Sequence, residues 1–249
     1  MIDDKLVSDF WEFTPIKQSI IESVENLKLK KIHIGKKLLI FAGSGMSQES
    51  GIPVFHGSDL KGGLSQKDGI ELVNNHTPHQ GYIDLLNFCE GKEYYVMTSN
   101  IDGYFAKAGF DPQRVVEVHG NVNYMQCPNG CAQIFNYKEG SRCEECYEYL
   151  VSNVMVSGFH NFISKTSFVE KNMDIDISTD IWTIIEIGAG VLVPVIRDYS
   201  EILVEDKKFN LIRINPEHWQ IPENILSKNT SRIPHKSILG IKILLDYIT

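Results

Sequence analysis

Apolar residues recur along this chain with two different periods. Ile16, Ile20, Ile21, Val24 and Leu27 return at helical spacing, which predicts a helix within residues 1–29. Short unbroken apolar runs then take over. Leu38-Leu39-Ile40-Phe41 reads as a buried parallel strand, and Tyr94 to Thr98, the run at Ile181 to Gly190 (IWTIIEIGAG) and Asn210 to Asn215 (NLIRIN) read as further strands. Val115 to Gly120 (VVEVHG) predicts an apolar strand ending on His119, and Leu150 to Phe162 is expected to return the chain to the sheet. Between the first two strands, residues 57–91 look mostly helical and polar. They hold a loop at 58–63, a break at Asn75-His76-Thr77-Pro78-His79 and a helix over Gly81 to Phe88. Gly103 to Gly109 predicts a short helix and Ile238 to Ile248 a closing one.

The ends of these strands carry the candidate chemistry. In open α/β sheets, ligands sit beyond the carboxyl ends of strands. The first strand empties into Ala42, Gly43, Ser44 and Gly45, a tight turn whose glycines let backbone N–H groups approach a pyrophosphate. Met46 to Ser50 is expected to open the following helix, its positive dipole end toward the phosphates. The second strand delivers Thr98-Ser99-Asn100-Ile101-Asp102. His76 and His79 lack a nearby carboxylate or thiol partner, so local capping explains them better than a metal. Lys28, Lys30, Lys31, Lys36 and Lys37 read as a solvated connection into the first strand.

Composition narrows the class. With 249 residues, 43% hydrophobic and 22% charged, the chain is globular. A net charge of −8 argues against a broad basic face for nucleic acid. No apolar run approaches the roughly 18 residues needed to cross a bilayer, and the N-terminus lacks a signal-peptide pattern. A reducing, cytoplasmic location is therefore expected. There, four cysteines within twenty residues favour a metal over disulfides. Cys127-x3-Cys131-x11-Cys143-x2-Cys146 offers four sulfurs to one Zn2+, a closed and therefore structural site. Cys89 reads as a plain semi-buried residue.

The stretch Phe41 to Gly57 (FAGSGMSQESGIPVFHG) resembles the cofactor loop of the sirtuins, NAD-dependent protein-lysine deacylases, usually written GAGxSxxSGIPxFRG. TSNIDGYFAKAG over Thr98 to Gly109 is similar to their TQNIDxLHxxAG. His119-Gly120, the four cysteines and Gly188-Ala189-Gly190 (in place of GTS) follow in the family's order over roughly residues 38–245.

The resemblance implies an α/β fold: a Rossmann-like parallel sheet domain with a small zinc-binding module and helical insert. Its expected parts are residues 1–57, 92–122 and 150–249 for NAD binding, 58–91 for the insert and cofactor loop, and 123–149 for the zinc module. It implies NAD contacts at Gly43, Ser44, Gly45, Ser47, Ile52, Pro53, Phe55, His56, Ser99, Asn100, Ile101, Asp102, Gly188, Ala189, Gly190 and Asn215. His119 becomes the general base, with Asn100 and Asp102 at the ribose and nicotinamide, and the partner an acylated lysine of a protein substrate. The products implied are nicotinamide, free lysine and an O-acyl-ADP-ribose. The chain departs from the family at His56 (usually arginine), Ser99 (glutamine), Tyr104 (leucine), Phe105 (histidine), Ser157 (phenylalanine) and Phe159 (an acid). The altered Ser157 and Phe159 leave open an ADP-ribosyltransferase or NAD hydrolase, and His56 with Ser99 a non-catalytic binder of NAD or ADP-ribose.

Overall fold

A computed structural model describes residues 34–54, 66–131, 134–155, 161–164, 181–205, 208–226 and 229–247. The expected N-terminal helix, Phe55, His56, the loop at 58–63, Ser157 and Phe159 lie outside the described residues. The chain order is β1 (Lys37–Ala42), α1 (Ser44–Gln48), α2 (Gln66–Asn74), α3 (Gln80–Phe88), β2 (Glu93–Thr98) and α4 (Tyr104–Lys107). A single 3-10 turn, Pro112–Arg114, leads into β3 (Val115–Glu117), β4 (Gly120–Gln126), β5 (Ile134–Asn136) and β6 (Val151–Val154). The chain continues through β7 (Trp182–Ile187), α5 (Val195–Val204), β8 (Phe209–Ile214), β9 (Thr230–Ile233) and α6 (Ser237–Tyr247).

Six strands form one sheet in the order β3-β2-β1-β7-β8-β9, every pair parallel. The unbroken apolar runs have their cause here. All six residues of β7 and of β8 are buried, because both faces of a parallel sheet are covered. On one face, Leu38, Ile40, Val96, Ile185 and Ile212 pack with Tyr82, Leu85 and Phe105, beneath α3 and α6. On the other, Leu39, Phe41, Trp182, Ile184 and Leu211 pack with Ile196 and Val204 of α5. The latter face also holds a buried ion pair, Arg213 to Glu186, with contacts of 2.6 and 2.8 Å and both side chains fully buried. Ser200 donates to Glu186, and Arg213 reaches Glu201 at 2.8 Å.

Chain order reverses between β1 and β7, which opens a crevice at their carboxyl ends. β5, β4 and β6 form a separate three-stranded antiparallel sheet. This corrects one expectation: the chain after Leu150 pairs with β4 in the small sheet, not with the large one. β3 also stops at Glu117, two residues short of His119. Four elements, β4, β5, α5 and β9, have no counterpart among the sequence-based expectations.

Candidate active site

The crevice begins where two turns meet. Gly43 N–H donates to Ile187 O at 2.9 Å and Gly45 N–H to Gly188 O at 3.0 Å. A Cβ on Gly43 would lie 2.6 Å from both Ala189 Cα and Gly188 O. Gly188 itself has φ +61°, open to glycine at little cost. The glycines let the β1 and β7 turns touch backbone to backbone, with the Gly43 and Gly45 N–H groups bonded across. Helix α1 runs Ser44–Gln48, starting two residues earlier than expected. Asn215, at the end of β8, donates to Ala189 O at 2.9 Å and accepts from the Glu217 and His218 N–H groups, so it fixes the Gly188-Ala189-Gly190 segment.

Behind this cradle lies a buried polar network. Thr98 Oγ1 donates to Ala42 O and accepts from Asn100 N–H, which turns the chain sharply off β2. Asn100 Nδ2 then donates to Gly43 O at 3.1 Å and to Ser47 Oγ at 2.8 Å. Ser47 Oγ donates to Asp102 Oδ2 at 2.5 Å, and Asp102 Oδ1 accepts from Tyr104 N–H at 2.8 Å. Ser47, Asn100 and Asp102 are all buried, and the Ile52 side chain is buried beside them while Pro53 is exposed. The fourth member, Tyr82 of α3, meets Ser47 Oγ at 3.0 Å. Sequence reasoning missed it, since a tyrosine on the apolar stripe of a helix reads as core.

His119 occupies the turn between β3 and β4, half-buried. Its Nδ1 faces Ser99 O at 3.2 Å. A carbonyl only accepts, so Nδ1 carries the proton and Nε2 keeps its lone pair. The turn is held from both sheets: Val118 N–H donates to Thr98 O, and His119 O accepts from Met155 N–H at 2.8 Å. Gly120 follows with φ +79°, and a Cβ there would meet Asn153 O at 1.9 Å, so only glycine fits.

The four cysteines come together at the far end of the small sheet. Their sulfurs all lie within 4.8 Å of one another. A tetrahedral zinc with bonds of about 2.3 Å sets sulfurs about 3.8 Å apart, so this donor set fits one ion with no open position. Asn129 N–H donates to Cys127 Sγ at 3.4 Å, and Asn129-Gly130 turns the first pair as expected.

The family model described as Sir2 family matches residues 67–191, half of the chain, across α2, the Asn100–Asp102 turn, His119, the cysteines and the β7 turn. The chain belongs to the Sir2 family. An NAD-dependent protein deacetylase of Chromobacterium violaceum is 30% identical over 122 residues, 38% of this chain and 48% of that protein, so the match spans about half of the relative's length. An NAD-dependent protein deacylase of Aquifex aeolicus is 24% identical over 85% of this chain and 95% of its own. A Sir2 homologue solved as its NAD complex superposes with a TM-score of 0.61 at 19% identity, covering 86% of this chain and 91% of that one, which shows the shared fold.

Burial sets the electrostatics of this sirtuin's crevice. It pushes the Asp102 carboxyl above the usual carboxylate range, and hydrogen bonds from Ser47 and Tyr104 N–H hold it back. It pushes the Tyr82 phenol well above its ordinary value, with the Asp102 charge adding to the effect. It lowers the basicity of His119, partly offset by the Ser99 carbonyl, so the ring is neutral where a base must be. His79 proves to be a cap, as expected: its Nδ1 accepts from Gly81 N–H at 3.0 Å and its Nε2 donates to Met46 O at 2.7 Å. Cys89 is buried and its thiol is pushed up to about 12, so it stays a thiol. No helix among the described residues is long and apolar enough to cross a membrane.

Proposed function

We propose that this sirtuin is an NAD-dependent protein-lysine deacylase. The observation that carries the reading is His119. Its Nδ1–H is fixed on Ser99 O, while Nε2 has no partner among the described residues and burial keeps the ring neutral, at the edge of the crevice that Gly43, Ser47, Asn100 and Asp102 line. The names of the relatives in Chromobacterium violaceum and Aquifex aeolicus support it.

The turns Gly43-Ser44-Gly45 and Gly188-Ala189-Gly190 lie at the carboxyl ends of β1 and β7, where the strand order reverses and an open α/β sheet receives an extended diphosphate-linked ligand. NAD, when bound, supplies a ribose carbon whose leaving group, nicotinamide, departs as a neutral ring. Asn100 and Asp102 orient the ribose and carboxamide ends, with Ile52 against the ring. His119 Nε2 takes up a hydroxyl proton as general base, which its neutral state permits near pH 7. The Cys127, Cys131, Cys143 and Cys146 site holds Zn2+ for structure alone, since four sulfurs leave it no position for water. The partner is an acylated lysine of a protein, and Phe55 and His56 belong to the same cofactor loop.

The test is nicotinamide release from NAD, with and without an acetyl-lysine peptide, beside His119→Ala. Release that requires the peptide and falls at least a hundredfold in the variant is expected, within the range of a lost acid–base group. Peptide-independent release at the same rate would overturn deacylation as the main activity.

A further inference from the structure

Tyr82 lies fully buried on α3, 35 residues from Ser47 and outside every motif that marks the crevice. Its ring is held by Phe105 at 5.0 Å and 70° and by Tyr104 at 6.1 Å and 80°, with the His79 ring 4.9 Å away. These neighbours fix where the phenol oxygen points, which is at Ser47 Oγ.

A serine hydroxyl has one proton and two acceptor lone pairs. Ser47 Oγ accepts from Asn100 Nδ2 at 2.8 Å, and its 2.5 Å contact with Asp102 Oδ2 takes its only proton. Tyr82 can then only donate, and it fills the second lone pair. A serine on a helix has a ready alternative for its proton, the carbonyl four residues back, here Gly43 O. With both lone pairs filled, that alternative is closed.

We propose that Tyr82 is a positioning residue for the crevice: by saturating Ser47 as an acceptor, it commits the Ser47 proton to Asp102. This rests on the reading of Asp102 as a substrate-facing carboxylate. The raised Tyr82 phenol keeps its proton throughout the working range, so it donates at every relevant pH. The titratable groups that face Asp102 are Tyr82 from α3 and Tyr104 from α4, whose own hydroxyl donates to Val73 O. His79 stands behind Tyr82, with its Nε2–H on Met46 O and Glu49 and Asp84 near it.

Tyr82→Phe removes one oxygen and leaves the ring packing in place. In the full chain carrying 13C-labelled aspartate, with Asp102→Asn to assign the signal, the Asp102 carboxyl midpoint is expected to rise by at least half a pH unit. That is about a threefold gain in proton affinity. Ser47→Ala raises it at least as far, and the double variant matches Ser47→Ala within 0.2 unit, as required if Tyr82 acts through Ser47. Site-specific 3-fluorotyrosine at position 82, a stronger donor on the same ring, moves the midpoint down. In nicotinamide release with acetyl-lysine peptide, the acid limb of the kcat/KM profile is expected to move to higher pH in Tyr82→Phe by the same amount as the carboxyl midpoint, with the high-pH plateau changed less than twofold. An unmoved midpoint, or shifts that add in the double variant, would overturn the proposal. If the wild-type chain releases no nicotinamide, the deacylase reading fails, and the carboxyl titration still decides the role of Tyr82.

Discussion

Gly43→Ala gives the sharpest test of how the crevice is built. Gly43 has φ −104° and ψ −174°, an ordinary extended conformation, so alanine carries no backbone penalty there. The cost is steric alone. The new Cβ would lie 2.6 Å from Ala189 Cα and Gly188 O, against 3.4 Å for an ordinary contact. The turns after β1 and β7 must part by about 0.8 Å, and both contacts are backbone, so no side chain can rotate away. That parting stretches the Gly43–Ile187 and Gly45–Gly188 hydrogen bonds, now 2.9 and 3.0 Å, beyond useful length. Overpacking at about 1–3 kcal/mol and two weakened hydrogen bonds at about 0.5–1.5 kcal/mol each give about 2–6 kcal/mol. For a chain of this size, at about 2–4 °C per kcal/mol, that lowers the melting temperature by about 4–24 °C. Gly190→Ala is the matched control, since a Cβ there meets nothing within 4 Å, and it should melt with the wild type. Thermal unfolding followed by circular dichroism reads both. Equal melting temperatures for the two variants would refute the claim that the glycines exist for turn-to-turn contact.

Other outcomes follow from the same structure. Arg213→Leu strands the fully buried Glu186 carboxylate and should cost about 3–5 kcal/mol in urea unfolding, while Arg213→Met with Glu186→Leu recovers most of it. Metal analysis should find one zinc per chain, and chelation or Cys143→Ser should lower the melting temperature, whereas Cys89→Ser leaves metal content unchanged. Burial lowers the basicity of His79, so the unfolded chain takes up that proton first as pH falls. The stability this side chain contributes is complete above about pH 6.5 and drains below it. His79→Asn keeps a cap for Gly81 N–H, and should flatten the fall in urea midpoint between pH 7 and pH 5.

The central strands were legible because burial on both faces leaves runs such as TIIEI and NLIRI little polar content, and polar residues directly after a strand point to a crevice. The cofactor turn, Asn100, Asp102, His119 and the cysteines were legible as ordered motifs. What stayed hidden depends on contacts distant in sequence. Arg213 and Glu186 interrupt their strands with charge, yet pair side by side in register, which no local pattern encodes. β9 is only four residues long, with Arg232 exposed, and sits at the sheet edge with too little apolar content to stand out. The run after Leu150 is apolar in either sheet, so its pairing with β4 could not be read from hydrophobicity. Tyr82 shows the same limit at the site itself, since its hydroxyl matters only once α3 has packed over Ser47.

The peptide unit of His119 lies where the two sheets meet. On one side, its neighbour Val118 is bonded to β2 of the large sheet, and on the other its carbonyl is bonded to Met155 just past β6 of the small one. The imidazole is therefore tied to both sheets, with Val122 N–H on Ile101 O as a second tie, while the four sulfurs lie at the small sheet's opposite end. The pitch of the small sheet thus bears on where the His119 ring stands, and an exchanged cysteine module would be tolerated only if it returned the chain to His119 at the same pitch.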